Sequence, residues 1–279
     1  MGEHVCVSNT PNDVLMSEWH LRFTVTANCN YRCKYCIVHS EHSKDMHDNE
    51  LKEILLAVAK NGVTKVHWTG GEPLVKPNII DLMKYAKSIG FSEQYMTTNG
   101  YFLYDVASEL RNIGVRRINI SLDTLSSARF KELTGRDALP QVLRGIDRIL
   151  EITDATLKTN SVMMKGNLHE LHDIVALAVQ KNKAYGKNRL ISKFIQFSPS
   201  NPNQLSEDGQ KFWTEQYIGS EDILNEIKKI GITIELPKNT VEGSNPSTRY
   251  YEVDGEFIVG LLATFSWGYP CGSCHRLVP

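Results

Sequence analysis

Six cysteines carry the most pointed chemistry in this chain of 279 residues, and they fall in two clusters. Cys29, Cys33 and Cys36 crowd into CNYRCKYC, and Cys271 and Cys274 into CGSC near the end, with Cys6 alone near the start. A disulfide framework spreads its cysteines more widely. The spacing C-x3-C-x2-C also lacks the two short ligand pairs of a common zinc site. Three thiolates on one tight loop suit a 4Fe–4S cluster, in which each iron takes one ligand and cysteine is the usual one. Three cysteines then hold three irons and leave the fourth open to a substrate or cofactor. A structural metal knot is the plain alternative.

The composition narrows the setting. Hydrophobic residues make up 41% and charged residues 23%, with 31 Lys and Arg against 32 Asp and Glu. These are values of a soluble globular protein and exclude collagen-like, low-complexity and acidic disordered classes. A net charge of −1 gives no field for steering polyanions, so nucleic acid is not an expected partner. The longest apolar run, 54–59, is too short to span a bilayer. The N-terminus lacks the basic-then-apolar order of a secretory signal, and Cys6 stands where myristoylation wants Ser or Thr. The expected location is cytoplasmic, with no membrane contact. Thiols stay reduced there, so the cysteines need a reason other than disulfides.

The elements that must position them alternate. Strands are expected over 21–27, 65–68, 94–97, 117–122, 156–163 and 190–197, from β-branched and alternating residues. Helices are expected between them. One carries Leu51, Ile54, Leu55 and Val58 and stops at Gly62; others start at Pro77 and cover 103–113, 140–152 and 168–182. Six βα units imply a parallel sheet, and right-handed crossovers curl it into a partial (β/α)6 TIM barrel. The pattern breaks at Ser198, where SPSNPNQLSEDG reads as a loop. A helix over 221–230 and a hairpin around Asp254-Gly255 then form a small α+β extension. The expected division is a core over 1–198 and an extension over 199–279.

In barrel enzymes the chemistry sits at the C-terminal ends of the strands. Strand one here runs into the three cysteines, strand two into TGGEP (69–73), strand three into TTNG (97–100) and strand four into SLD (121–123), while strand five carries Lys158 and Asn160. Gly-Gly and Asn-Gly are turn formers by themselves; their joint placement on one rim beside three cysteines is what points to a site.

With these motifs in place, the chain resembles the radical S-adenosylmethionine enzymes. CNYRCKYC is similar to their CxxxCxxC, with Tyr35 before the last cysteine, and Gly70-Gly71-Glu72 is similar to their GGE motif. The resemblance implies that S-adenosylmethionine chelates the open iron and is reductively cleaved to a 5′-deoxyadenosyl radical, which abstracts a substrate hydrogen. It implies cofactor contacts at Gly70, Gly71 and Glu72 (methionine), the backbone of Tyr35 (adenine), Ser121 and Ser198. It also implies an electron donor such as a flavodoxin or ferredoxin.

Within that superfamily the chain most resembles the MoaA family, the GTP 3′,8-cyclases of molybdenum-cofactor biosynthesis. LRFTVTANCNYRCKYC, TGGEP, TTNG, SLDTL, KTNSV and the C-terminal CGSCHRL match it in order. The resemblance implies a small anionic, nucleotide-like substrate, with contacts at Arg22, His67, Thr98, Lys158 and Arg276. It also implies a second iron–sulfur cluster at Cys271 and Cys274, whose third ligand is Cys6 or His275 if either serves. Zinc, or no metal, is the alternative there, and the plain reading of Cys6 is an idle thiol. His39, His42 and His47 read as solvated loop residues. The chain departs from the family at His67 and Lys193, each in place of an arginine, and at Val278. The alternative function is a divergent relative acting on another nucleotide, a natural-product intermediate or a peptide.

Overall fold

The computed structural model of the protein describes residues 19–36, 45–198, 207–237, 240–241, 247–267 and 276–277. The first half alternates: β1 (His20–Thr24), α1 (Asp48–Lys60), β2 (Lys65–Thr69), α2 (Ile79–Ser88), β3 (Glu93–Thr98), α3 (Leu103–Ile113) and β4 (Arg117–Ser121). Next come α4 (Ser127–Thr134), α5 (Leu139–Ile152), β5 (Thr156–Met163), α6 (Leu171–Tyr185) and β6 (Leu190–Gln196). The last part holds α7 (Glu207–Gln216), α8 (Ser220–Lys228), β7 (Thr233–Glu235), β8 (Thr248–Val253), β9 (Phe257–Leu262), α9 (Thr264–Trp267) and β10 (Arg276–Leu277).

Strands β1 to β6 are parallel and lie side by side in chain order. With their helices they form the expected α/β fold, a partial (β/α)6 barrel. The sheet continues past β6. Strand β9 joins β6 in parallel, β8 pairs antiparallel with β9, and β7 with β8. At the other edge β10 pairs in parallel with β1. The Asp254-Gly255 hairpin therefore extends the barrel sheet itself.

Each barrel strand has two unlike faces. Val66, Trp68, Met96, Ile118, Ile120 and Leu157 are buried against the helices in one apolar core. The gain from burying each such side chain is about 1.5–3 kcal/mol. On β1 to β4 the residues of the other parity are polar and face the lumen. Arg22, His67, Tyr95 and Arg117 stand in one cross-strand row, and Thr97, Asn119 and Lys158 in the next. Parallel strands covered on both faces ordinarily read as continuous apolar runs. A polar inner face is the mark of a lumen built to hold something.

Local differences from the sequence expectation have local causes. Strand β1 ends at Thr24, not at residue 27, because residues 25–28 turn beneath the TGGEP segment. Helix α2 starts at Ile79, after Asn78 adopts a left-handed conformation with φ 60°. Leu168–Glu170 is a 3-10 turn ahead of α6. Helix α7 begins inside the stretch expected to be loop, and α4, β7 and β10 were not expected; these are short or polar elements with weak periodicity.

Candidate active site

The loop that carries the cysteines is held from three sides. From one side comes Asp45, whose carboxylate accepts hydrogen bonds from Thr26 Oγ1 (2.5 Å), the Ala27 N–H (3.0 Å) and Asn28 Nδ2 (3.1 Å). Burial pushes the Asp45 carboxyl up, but these hydrogen bonds outweigh it and leave the group below its ordinary range. From the second side the backbone of TGGEP bonds into the loop: Gly71 N–H to Thr26 O and Glu72 N–H to Asn28 O, both 2.8 Å. A Cβ on Gly71 would sit 2.6 Å from the Ala27 carbonyl oxygen and closer still to that of Asn28. Only glycine permits this approach. From the third side Arg32 and Lys34 donate their N–H groups to Thr134 O (2.8 Å) and Leu133 O (3.0 Å) at the end of α4.

Glu72 is completely buried. Its carboxylate accepts from Thr98 Oγ1 (2.7 Å), the Leu74 N–H (3.0 Å) and the Asn99 N–H (2.6 Å). Burial pushes its pKa up to about 7 against these hydrogen bonds. The carboxylate is thus spent on the chain, tying the end of β2 to the end of β3. Asn99 passes the tie onward, donating from Nδ2 to Asn30 Oδ1 at 2.6 Å and lying 3.9 Å from Cys29 Sγ. Tyr35 donates its hydroxyl hydrogen to buried Asp123, which also accepts from the Val162 N–H at 2.7 Å. Burial raises the Asp123 pKa to about 6, opposed by those two bonds.

Cys29, Cys33 and Cys36 are free thiols that line one cavity of about 170 Å³. Tyr35, Gly70, Gly71, Ser121, Arg22 and Thr98 line it too. Burial raises the thiols of Cys29 and Cys33; Glu72 and Cys36 add to this at Cys29, and Asp123 and Cys36 at Cys33. The bare thiols therefore favour their protonated form, and a coordinating metal removes those protons outright. Among the described residues no three His, Cys, Asp or Glu groups converge as a single ion would need. Three thiols spread around one cavity fit a cluster in which each takes its own iron.

Other predicted residues lie elsewhere. Ser198, past the end of β6, does not line this cavity. His67 is buried in the lumen, with Nε2 2.8 Å from Thr97 Oγ1 and 3.5 Å from Asn119 Nδ2. Lys158 lines a second cavity, of about 880 Å³, at the N-terminal ends of β4, β5 and β6. Arg276 lies on β10; Cys6, His39, His42, Cys271, Cys274 and His275 fall outside the described residues. His47 precedes α1 as its cap, its N–H donating to Glu50 at 2.7 Å. Sequence reasoning missed Asp45, Asn99 and Asp123 as supports; the last two stood within TTNG and SLD, whereas Asp45 had no signal.

The sequence profile of the Radical SAM superfamily matches residues 23–178, a span from β1 into α6 that contains every residue lining the cysteine cavity except Arg22. The chain belongs to the radical SAM superfamily. Its curated relatives include the GTP 3′,8-cyclase of Peptoclostridium acidaminophilum, 33% identical over 267 residues that cover 92% of this chain and 76% of that protein. The GTP 3′,8-cyclase of Clostridium perfringens is 34% identical with the same coverage. Among solved structures, Streptococcus suis SuiB bound to S-adenosylmethionine aligns with a TM-score of 0.61 at 17% identity. That alignment covers 76% of this chain but only 46% of SuiB, so this chain spans under half of SuiB's length and the likeness speaks for the fold. As a radical SAM enzyme the protein uses a 4Fe–4S cluster and S-adenosylmethionine, and the free thiols of the cavity are a donor set that fits such a cluster. No helix among the described residues is long and apolar enough to cross a membrane.

Proposed function

We propose that the chain is a GTP 3′,8-cyclase of molybdenum-cofactor biosynthesis. The observation that carries this is Arg22: a lumen cation in the same cavity as the three cysteines, on a chain one-third identical to proteins of that name. Cys29, Cys33 and Cys36 hold the cluster. With the cluster and S-adenosylmethionine bound there, the chemistry supplied would be abstraction of a hydrogen atom from the substrate. Gly70 and Gly71 offer backbone groups to the methionine part, Ser121 a hydroxyl, and the backbone at Tyr35 an edge for adenine. Glu72 acts from behind, fixing the turn that presents those glycines. Arg22, Thr98, Lys158 and Arg276 receive the anionic substrate, for which several Lys and Arg are the natural partners.

The same reading includes a second iron–sulfur cluster at Cys271 and Cys274, a flavodoxin or ferredoxin as electron donor, a cytoplasmic location, and the division into 1–198 and 199–279. A second reading is supported by His67. Its ring is engaged with Thr97 and Asn119 in the lumen, where the cyclase resemblance leads one to expect an arginine. That favours a divergent relative acting on another nucleotide-like anion.

The test is anaerobic incubation of the reconstituted enzyme with GTP, S-adenosylmethionine and a reductant, followed by chromatography and mass spectrometry. The cyclase reading expects 5′-deoxyadenosine together with a 3′,8-cyclised nucleotide. Deoxyadenosine without cyclised product, and unaffected by GTP, rejects it in favour of the second reading.

A further inference from the structure

Strand β8 brings a tyrosine from the extension onto a lumen cation of the barrel. Lys158, on β5, is 2% exposed, and its Nζ lies 3.1 Å from Tyr250 Oη. The ammonium also sits 5.2 Å from the centre of the Tyr250 ring. The two residues are 92 positions apart in the chain, and Tyr250 is itself 6% exposed. A lysine this deeply buried is costly unless its charge is met by hydrogen bonds and an oriented field.

The neighbouring strand is shaped around this pair. Gly260 on β9 stands opposite both Tyr250 and Lys193. A Cβ there would lie 2.9 Å from Tyr250 Cε1 and 3.1 Å from Lys193 Cγ. The missing side chain leaves room for the ring to lie across β9 and reach β5. Lys158 in turn shares a cross-strand row with Asn119 and Thr97. At the strand spacing of about 4.8 Å, its backbone is roughly 10 Å from that of Thr97, which lines the cysteine cavity.

We infer that Tyr250 is a positioning residue for substrate binding: its hydroxyl fixes the Lys158 ammonium in the lumen so that the ammonium receives a phosphate-class anion. The hydroxyl oxygen accepts from Lys158 and so sets where the ammonium stands in the lumen. The extension is thereby part of the substrate pocket, and Gly260 is the position that makes this possible. The inference rests on the anionic-substrate reading above.

The experiment measures equilibrium binding of GTP and of inorganic tripolyphosphate to the anaerobic holoenzyme, for wild type, Lys158→Ala, Tyr250→Phe and their double variant. Tyr250→Phe keeps the ring and removes only the hydroxyl, and the thermal unfolding midpoint of each variant, measured beside the binding, reports any loss of stability. The expected result is a Kd raised about tenfold or more by Lys158→Ala, and about three- to tenfold by Tyr250→Phe. The double variant should bind no worse than Lys158→Ala alone, because the hydroxyl acts through the lysine. Gly260→Ala, which displaces the ring, should weaken binding in the same direction. Wild-type affinity in Tyr250→Phe alongside weakened Lys158→Ala overturns the inference, as does simple additivity in the double variant. An unaffected Lys158→Ala, or a wild-type protein that binds neither probe, overturns the inference and its anionic-substrate basis together. Absence of cyclised product with the binding pattern intact removes only the cyclase reading and leaves the pair in place.

Discussion

Replacing Asp45 by alanine should loosen the cysteine loop without unfolding the barrel. The carboxylate serves three donors, two of them in the loop's most enclosed part: the hydroxyl of buried Thr26 and the Ala27 N–H. Hydrogen bonds to a charged group contribute about 1.5–3 kcal/mol each where water is excluded. Asp45 is partly exposed, so water can replace part of the loss, and the lower end of that range applies to two bonds. The expected local loss is about 3 kcal/mol, or roughly a hundredfold in the population of the held loop. The backbone bonds from Gly71 and Glu72 remain, so the loop is freed on one side only. Anaerobically reconstituted Asp45→Ala should lose iron to a chelator many times faster than wild type, and its iron signal in electron paramagnetic resonance should broaden. Asp45→Asn, which keeps an oxygen for the Ala27 N–H, should fall between the two. Wild-type iron retention and an unchanged spectrum in Asp45→Ala would refute the reasoning, since the three bonds would then have no bearing on the thiols.

Glu72→Gln should destabilise the protein by about 1–3 kcal/mol, because an amide turns a donor toward one of three buried donors that now face oxygen. Thermal unfolding checks this, and an unchanged midpoint would mean the carboxylate is not the clamp described. Gly71→Ala should lower both iron incorporation and S-adenosylmethionine affinity, since its Cβ would collide with the Ala27 and Asn28 carbonyls; equilibrium binding and iron counting measure the two. Cys33→Ala should abolish the visible absorbance of the cluster and all 5′-deoxyadenosine formation, and retained cofactor cleavage would contradict the ligand assignment.

What the sequence made legible, and what it did not, divides along physical lines. Alternation of strand and helix showed the barrel because every βα unit must bury one apolar stripe, and residues such as Val66, Trp68, Met96 and Ile118 keep strict period. The cysteines and TGGEP were readable because their types are rare and their spacing short. Glu72 was read as a ligand contact since it belongs to the motif; its burial, and the donors of Thr98 and Asn99 around it, depend on how β2 and β3 end. Lys158 was placed with Arg22 as a substrate contact, yet the two line different cavities. Position along a strand decides depth in the lumen, and a motif alone does not carry depth.

The least legible features are contacts made across long sequence separations by residues of common type. Asp45 follows the last cluster cysteine by a polar stretch and reads as an ordinary surface acid, but it closes the loop back onto the end of β1. Tyr250 reads as one of several aromatics in a hairpin, but the place of β9 beside β6 turns it toward Lys158. Both cases follow one rule. The superfamily motif specifies the thiols and the glycines, while the fold recruits unremarkable residues to hold them in register. Near the cysteines those supports are hydrogen bonds to backbone and carboxylate, which fix the loop that bears the thiols. Deeper in the lumen the support comes from Tyr250 on β8 and acts on a cation. Changes that fall on the second kind of support, such as Tyr250→Phe, should therefore alter which anion is accepted before they alter whether the cluster forms.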